Sequence, residues 1–232
     1  MPILELARKK KMSISRVEEY YNALRTNIQL SGENIRVIAI SSTFPGEGKT
    51  TTSTNLALTF AKAGHKTLLI DADIRNSKML GGVFKSDGKV TGLTEYLSGT
   101  TDLSQGLCET DEPNLFVVSS GQISPNPTAL LQSERFTTMM SVLRRHYDYI
   151  IVDTPPVGMV VDATLIAKVC DASLLVVAAN VVKRKMVQKS KMHLKQSSTP
   201  FLGVVLNKYN VQADTYGFYG SYGHYGDRLK EE

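Results

Sequence analysis

The chain has 232 residues, 42% apolar and 21% charged, with a formal net charge of +5, which suits one sizeable hydrophobic core with a tail. No run approaches the roughly 18 consecutive apolar residues of a membrane span, and no apolar leader with a small-residue cleavage site opens the chain, so a cytoplasmic protein is expected. Cys108 and Cys170 have neither metal-ligand spacing nor a nucleophile's partners, which predicts buried free thiols in a reducing compartment.

Taken in order, the chain begins with a basic cluster, Arg8, Lys9, Lys10 and Lys11, which could touch a membrane surface or an acidic partner. Helical spacing of Ile14, Val17, Tyr21, Leu24 and Ile28 predicts a helix over 13–30. A strand over Ile35–Ser41 runs into a glycine loop, and a helix follows from Lys49 to Ala63, stopped by Gly64. The β-run 66–73 ends in Asp71 and Asp73. A shorter strand is predicted at 115–119, and another at 149–153 ends in Asp153 before Pro155 and Pro156. The last two strands are expected at 172–178 and 201–206. Between them lies a second basic cluster, Lys183, Arg184, Lys185, Lys189, Lys191 and Lys195, read as a solvated helix face. Neither cluster has interleaved base-stacking aromatics, so nucleic acid is not an expected partner. From Gln212 onward glycine alternates with tyrosine, the composition of a flexible tail.

Continuous apolar strands alternating with helices predict a doubly wound α/β fold, a mainly parallel sheet with helices on both faces. The organisation expected is an N-terminal basic segment and helix over 1–30, a P-loop domain over 31–211 and a tail over 212–232. In such sheets ligands bind at the carboxyl ends of strands. Gly48, Asp71, Asp73 and Asp153 all fall there.

The segment Pro45, Gly46, Glu47, Gly48, Lys49, Thr50, Thr51 has the makings of an ATP-binding phosphate loop, although Thr43 stands where the G-x-x-x-x-G-K-[ST] pattern has its first glycine. Backbone N–H groups and a helix N-terminus would face the phosphates. Lys49 would reach the β- and γ-phosphates, and the Thr50 hydroxyl would ligate Mg²⁺. Asp153 sits where such proteins keep a metal ligand. Asp71 and Asp73 suit metal ligation and acceptance of a hydroxyl proton. The segment Asn207-Lys208-Tyr209-Asn210 looks like a guanine reader, but its fourth residue is not acidic, so ATP is preferred over GTP. His146-Tyr147-Asp148 looks like a eukaryotic kinase catalytic loop but lacks that fold's other motifs.

Together, the phosphate loop, the run Leu68–Arg75, the run Tyr149–Pro156 and a terminal tyrosine cluster resemble the bacterial tyrosine kinases, in particular the stand-alone capsular-polysaccharide kinases of Gram-positive bacteria. The resemblance covers residue 15 to the end, with Walker A at 43–50, Walker A′ at 69–75 and Walker B at 149–153. It implies an autokinase using ATP and Mg²⁺, with Lys49, Asp71 and Asp73 catalytic. Thr50, Asp73 and Asp153 would hold the metal, and Asp71 would activate the incoming tyrosine hydroxyl. Tyr216, Tyr219, Tyr222 and Tyr225 would be the autophosphorylation sites, used between subunits of a ring. An oligomer motif Glu-x-x-Arg-x-x-Arg is met by Glu19 and Arg25, with Asn22 replacing the middle arginine. A membrane-anchored activator that recruits the chain to the inner face of the membrane, a cognate tyrosine phosphatase and regulation of capsular or extracellular polysaccharide synthesis are likewise implied.

Two other readings share the fold. A partitioning or site-placing ATPase of the ParA/MinD type uses a second lysine five residues before the first, where this chain has Phe44. A non-catalytic nucleotide-dependent scaffold would bind without turnover. Phosphorylation of the four tail tyrosines would add roughly −6 to −8 charges, enough to reverse the net +5.

Overall fold

The computed structural model describes residues 2–7, 17–86, 88 and 90–209. The Arg8–Lys11 cluster and the four tail tyrosines, Tyr216, Tyr219, Tyr222 and Tyr225, lie outside the described residues. In chain order the elements are β1 (Ile3–Leu6), α1 (Glu18–Leu30), β2 (Val37–Ser42), α2 (Lys49–Lys62), β3 (Thr67–Asp71), β4 (Phe84–Lys85), α3 (Leu93–Leu97), α4 (Leu103–Gly106) and β5 (Leu107–Thr110). There follow β6 (Leu115–Val118), α5 (Pro127–Leu131), α6 (Glu134–Leu143), β7 (Tyr149–Asp153), α7 (Asp162–Ala167), β8 (Ala172–Ala178), α8 (Arg184–Lys195) and β9 (Phe201–Asn207).

The strands form one sheet in the order β4-β1-β5-β6-β3-β7-β2-β8-β9. From β6 to β9 every pairing is parallel, whereas β5 with β6 and β4 with β1 run antiparallel. The doubly wound, mainly parallel architecture expected from the sequence is the one observed. Three strands were not anticipated, β1, β4 and β5, and all belong to one edge. They are two to four residues long, and β1 alternates exposed and buried positions, so none carries the continuous apolar run of a strand covered on both faces. Leu4 and Leu6 of β1 are nevertheless buried in the core with Phe84.

Period-two alternation divides the central strands between two cores. Ile38, Ile40, Leu69 and Ile151 pack with Leu56 and Phe60 of α2. Val37, Ala39, Leu68, Ile70 and Val152 pack on the opposite face with Phe136, Met140 and Leu143 of α6 and Ile166 of α7. Burying each such Ile, Leu or Phe contributes roughly 1.5–3 kcal/mol. From Thr52 to Ala61 every residue of α2 is buried, because the sheet lies on one side and α1 on the other. Cys108 and Cys170 are buried free thiols. No helix among the described residues is long and apolar enough to cross a membrane.

The sheet order is what assembles the site. The chain leaves β2, places β3 two positions away and returns to insert β7 between them. Asp71 and Asp153 then stand opposite each other across β3 and β7, while Asp153 pairs with Ile40 of β2. Three motifs about 20 to 100 residues apart in sequence therefore end side by side.

Candidate active site

The phosphate loop spans the turn from β2 to α2. Gly46 and Gly48 have φ of 81° and 98°, a left-handed conformation that favours glycine. At Gly48 space adds to conformation, since a Cβ would fall 2.0 Å from Asn207 Nδ2. Thr43 is absent from the residues with positive φ, so the departure from the loop pattern occurs where glycine's freedom is not needed.

The loop is braced from behind. Glu47, 2% exposed, accepts from the Phe44 N–H at 2.6 Å and from the Ala178 N–H of β8 at 3.1 Å. Asn207 at the end of β9 donates to the Glu47 carbonyl at 2.8 Å, and Lys208 donates to the Gly46 carbonyl at 2.6 Å. The Asn-Lys pair that looks like a base reader thus buttresses the loop. Glu47→Ala strips the buried Ala178 N–H and the part-buried Phe44 N–H of their acceptor, the buried one at about 1–3 kcal/mol. It is expected to lower the denaturant midpoint and weaken nucleotide binding together, as urea titration and nucleotide titration would show.

The cleft beside the loop has a volume of about 550 Å³, ample for a nucleotide. Pro45, Gly46, Gly48, Lys49, Thr50 and Thr51 line it, with Asp73, Arg75, Asn76 and Lys78 across from them. Glu47 is the exception in the sequence-based set: its carboxylate turns into the protein, and only its backbone remains with the loop. Lys49 Nζ lies 2.9 Å from Asp73 Oδ2 and 3.7 Å from Asp153 Oδ2, and donates to Thr50 Oγ1 at 3.4 Å. Asp153 accepts from Ser53 Oγ at 3.1 Å. Asp71 accepts from the Ser77 hydroxyl and from the Asp73 N–H at 3.3 Å.

Asp71, Asp73 and Asp153 are 1%, 5% and 1% exposed, so Asp73 fronts the cleft while Asp71 and Asp153 lie beneath it. Burial, and then the Asp153 carboxylate, push Asp71 up to about 7. Burial also raises Asp153, opposed by Lys49 and by hydrogen bonds from Thr50 and Ser53. Burial pulls the Lys49 ammonium down, but Asp153, Asp73 and Asp71 outweigh it, and the net shift is upward. The cluster carries excess negative charge that a second cation would relieve.

Among the described residues no group of three or more His, Cys, Asp or Glu forms a ready-made metal cage. Mg²⁺ takes one or two carboxylates and fills its octahedron with water and phosphate oxygens. Thr50, Asp73 and Asp153 offer the hard oxygen donors such a site needs.

Glu19 and Asn22 are exposed on α1, and Arg25 is half-buried, its Nε without a hydrogen-bond partner among the described residues. Sequence reasoning missed Ser77, Asn207, Lys208 and the partners of Arg75 as parts of this site. Arg75 belongs to the Walker A′ run and was within reach. Its partners Thr128 and Asp162 lie 53 and 87 residues away, with no local pattern to mark them.

An AAA-domain family profile matches residues 35–190. The chain is 60% identical over 217 residues to the tyrosine-protein kinase CpsD of Streptococcus pneumoniae serotype 4, covering 94% of this chain and 95% of that one. Among solved structures, the kinase domain of the Escherichia coli tyrosine kinase ETK superposes with a TM-score of 0.78 at 33% identity, covering 86% of this chain and 80% of that one. The septum site-determining protein MinD of Pyrococcus horikoshii, solved with Mg-ADP, gives 0.64 at 25% identity over 76% and 71%.

Proposed function

The chain belongs to the CpsD-like tyrosine-protein kinases of the bacterial tyrosine kinase family, and from that premise we propose that it transfers the γ-phosphoryl group of MgATP to Tyr216, Tyr219, Tyr222 and Tyr225 of its own C-terminal segment. The enzyme class is that of its relatives, a protein-tyrosine kinase, and the ParA/MinD-type ATPase reading gives way to it. One observation carries the choice of acceptor. The last strand ends on the phosphate loop itself, through Asn207 and Lys208, so the segment bearing the tyrosines starts beside the donor site. Seven residues from Tyr209 to Tyr216 can span up to about 25 Å.

In this reading the loop N–H groups and Lys49 hold the triphosphate. Thr50, Asp73 and Asp153 would hold Mg²⁺, which would supply positive charge to offset that of the triphosphate. Binding draws Lys49 from the carboxylates to the phosphates. Asp71 takes the proton of the incoming phenol by way of the Ser77 hydroxyl, which already donates to it. A base near neutrality is well matched to that task.

Transfer runs between subunits, with α1 supplying Glu19 and Arg25 to the contact. A membrane-anchored activator brings the chain to the inner face of the membrane, a tyrosine phosphatase resets the tail, and the cycle regulates capsular or extracellular polysaccharide synthesis. Support for these assignments is the chain's membership in the family.

Changing all four tail tyrosines to Phe is expected to remove most phosphotyrosine while leaving ATP affinity intact, as mass spectrometry after incubation with MgATP and nucleotide titration would show. Label persisting on Tyr20, Tyr21 or Tyr96 would refute the tail as acceptor. Mixing an active tail-less protein with a Lys49→Met protein separates transfer between subunits from transfer within one.

A further inference from the structure

The cleft holds another cation, Arg75, in a setting more elaborate than lining a pocket requires. Its Nε donates to Asp162 Oδ2 at 2.5 Å, and its Nη2 donates to Asp162 Oδ1 at 3.1 Å and to Thr128 Oγ1 at 2.8 Å. The Thr128 hydroxyl donates in turn to Asp162 Oδ1 at 2.9 Å. Asp162, the first residue of α7, is wholly buried, whereas the Arg75 side chain remains 36% exposed and faces the cleft with Lys49 and Asp73.

A guanidinium has five N–H groups. Three are committed to the Asp162–Thr128 clamp, and the two on Nη1 have no hydrogen-bond partner among the described residues. Burying a carboxylate costs several kcal/mol unless it is well paired. Asp162 is paired on one side of a forked cation, leaving the other fork free. The clamp fixes the guanidinium plane, so its charge would meet a ligand without rearrangement.

We propose that Arg75 is a catalytic residue whose free Nη1 amino group binds the phosphoryl group during its transfer, with Asp162 and Thr128 as positioning residues. This rests on the kinase reading above. In the step, the phenolic oxygen forms a bond to the γ-phosphorus while the bond to the β–γ bridging oxygen breaks. That electron pair leaves with ADP, and the phenolic proton goes to Asp71. Arg75 exchanges no proton. It offsets charge on the equatorial phosphoryl oxygens alongside Lys49.

Arg75→Ala is expected to lower kcat for tail phosphorylation on the order of 10²–10³-fold with ADP affinity unchanged. A non-hydrolysable ATP analogue should lose its affinity advantage over ADP, a readout that does not depend on turnover. Arg75→Lys should not restore the rate, because an ammonium cannot fork between Asp162 and a phosphate. Asp162→Asn should lower kcat while leaving the KM for ATP unchanged. Should Arg75→Ala fail to fold by circular dichroism, Arg75→Gln, which can still donate to Asp162, takes its place with the same expected loss. A folded variant with wild-type kcat and an undiminished preference for the ATP analogue overturns the proposal and leaves the kinase reading standing. A wild-type protein that binds ATP but never labels its tail overturns both.

Discussion

Lys49→Met is expected to reduce tail phosphorylation on the order of 10³-fold or more, below detection by mass spectrometry of the purified protein incubated with MgATP. The lysine opens α2 directly after the left-handed Gly48 and is the cation positioned between Asp73 and Asp153. Methionine keeps most of the stem and removes the charge, so the phosphates lose a partner that no loop N–H can replace. The nucleotide-free variant should also melt at a lower temperature, because Asp153 stays buried beside Asp71 and Asp73 without its ion pair. Phosphate arriving on the variant's own tail at the wild-type rate, with no active copy present, would dismiss the donor site as drawn.

Asp71→Asn should have two opposite effects. As the proposed proton acceptor, Asp71 must be ionised, so wild-type kcat/KM for MgATP, which reports the free enzyme, should rise with pH through about 7, the value to which burial and Asp153 push it. The asparagine variant should lose roughly 10²–10⁴-fold in rate and that pH limb with it. Stability should move the other way. An unfolded Asp71 releases its proton near 3.8, and the folded one near 7. Between these values the native state binds a proton that the unfolded state does not, so stability is lost as pH rises through the window. Asparagine removes that penalty. In nucleotide- and metal-free buffer the variant should out-melt the wild type by a margin that grows from pH 4 to pH 7 and then levels off. A variant that melts lower at pH 8 and keeps the rate limb would show that Asp71 is a structural anion.

Much of this arrangement was legible from residue order. Apolar runs such as Leu68–Ile70 and Ile150–Val152 are continuous because both sides of the sheet are covered, and each ends in an acid that cannot lie in that core. Lys49, Asp71, Asp73 and Asp153 could therefore be placed at one end of the sheet, and Asp73 does meet Lys49. What escaped depends on contacts between distant segments. Nothing local to Glu47 says that its carboxylate will reach Ala178, 131 residues away, and nothing around Asp162 marks it as Arg75's anchor. The edge strands β1, β4 and β5 were missed for a different reason: a half-covered strand of a few residues does not differ in composition from a loop. The proposed oligomer motif is a further case, since Glu19 and Asn22 are exposed on a single chain and nothing local to α1 marks a contact for them.

On the proposed assignment of the acceptors, the Asn207–Lys208 brace mounts the donor loop and the start of the acceptor segment on a single bracket. Adding or removing residues between Tyr209 and Tyr216 would alter how far the phenols travel, and hence whose catalytic centre they visit, while the bracket keeps the loop in place. On that assignment, the number of residues between Tyr209 and Tyr216 is a dial that evolution or an engineer could turn to trade self-modification against modification of a neighbour without touching the chemistry.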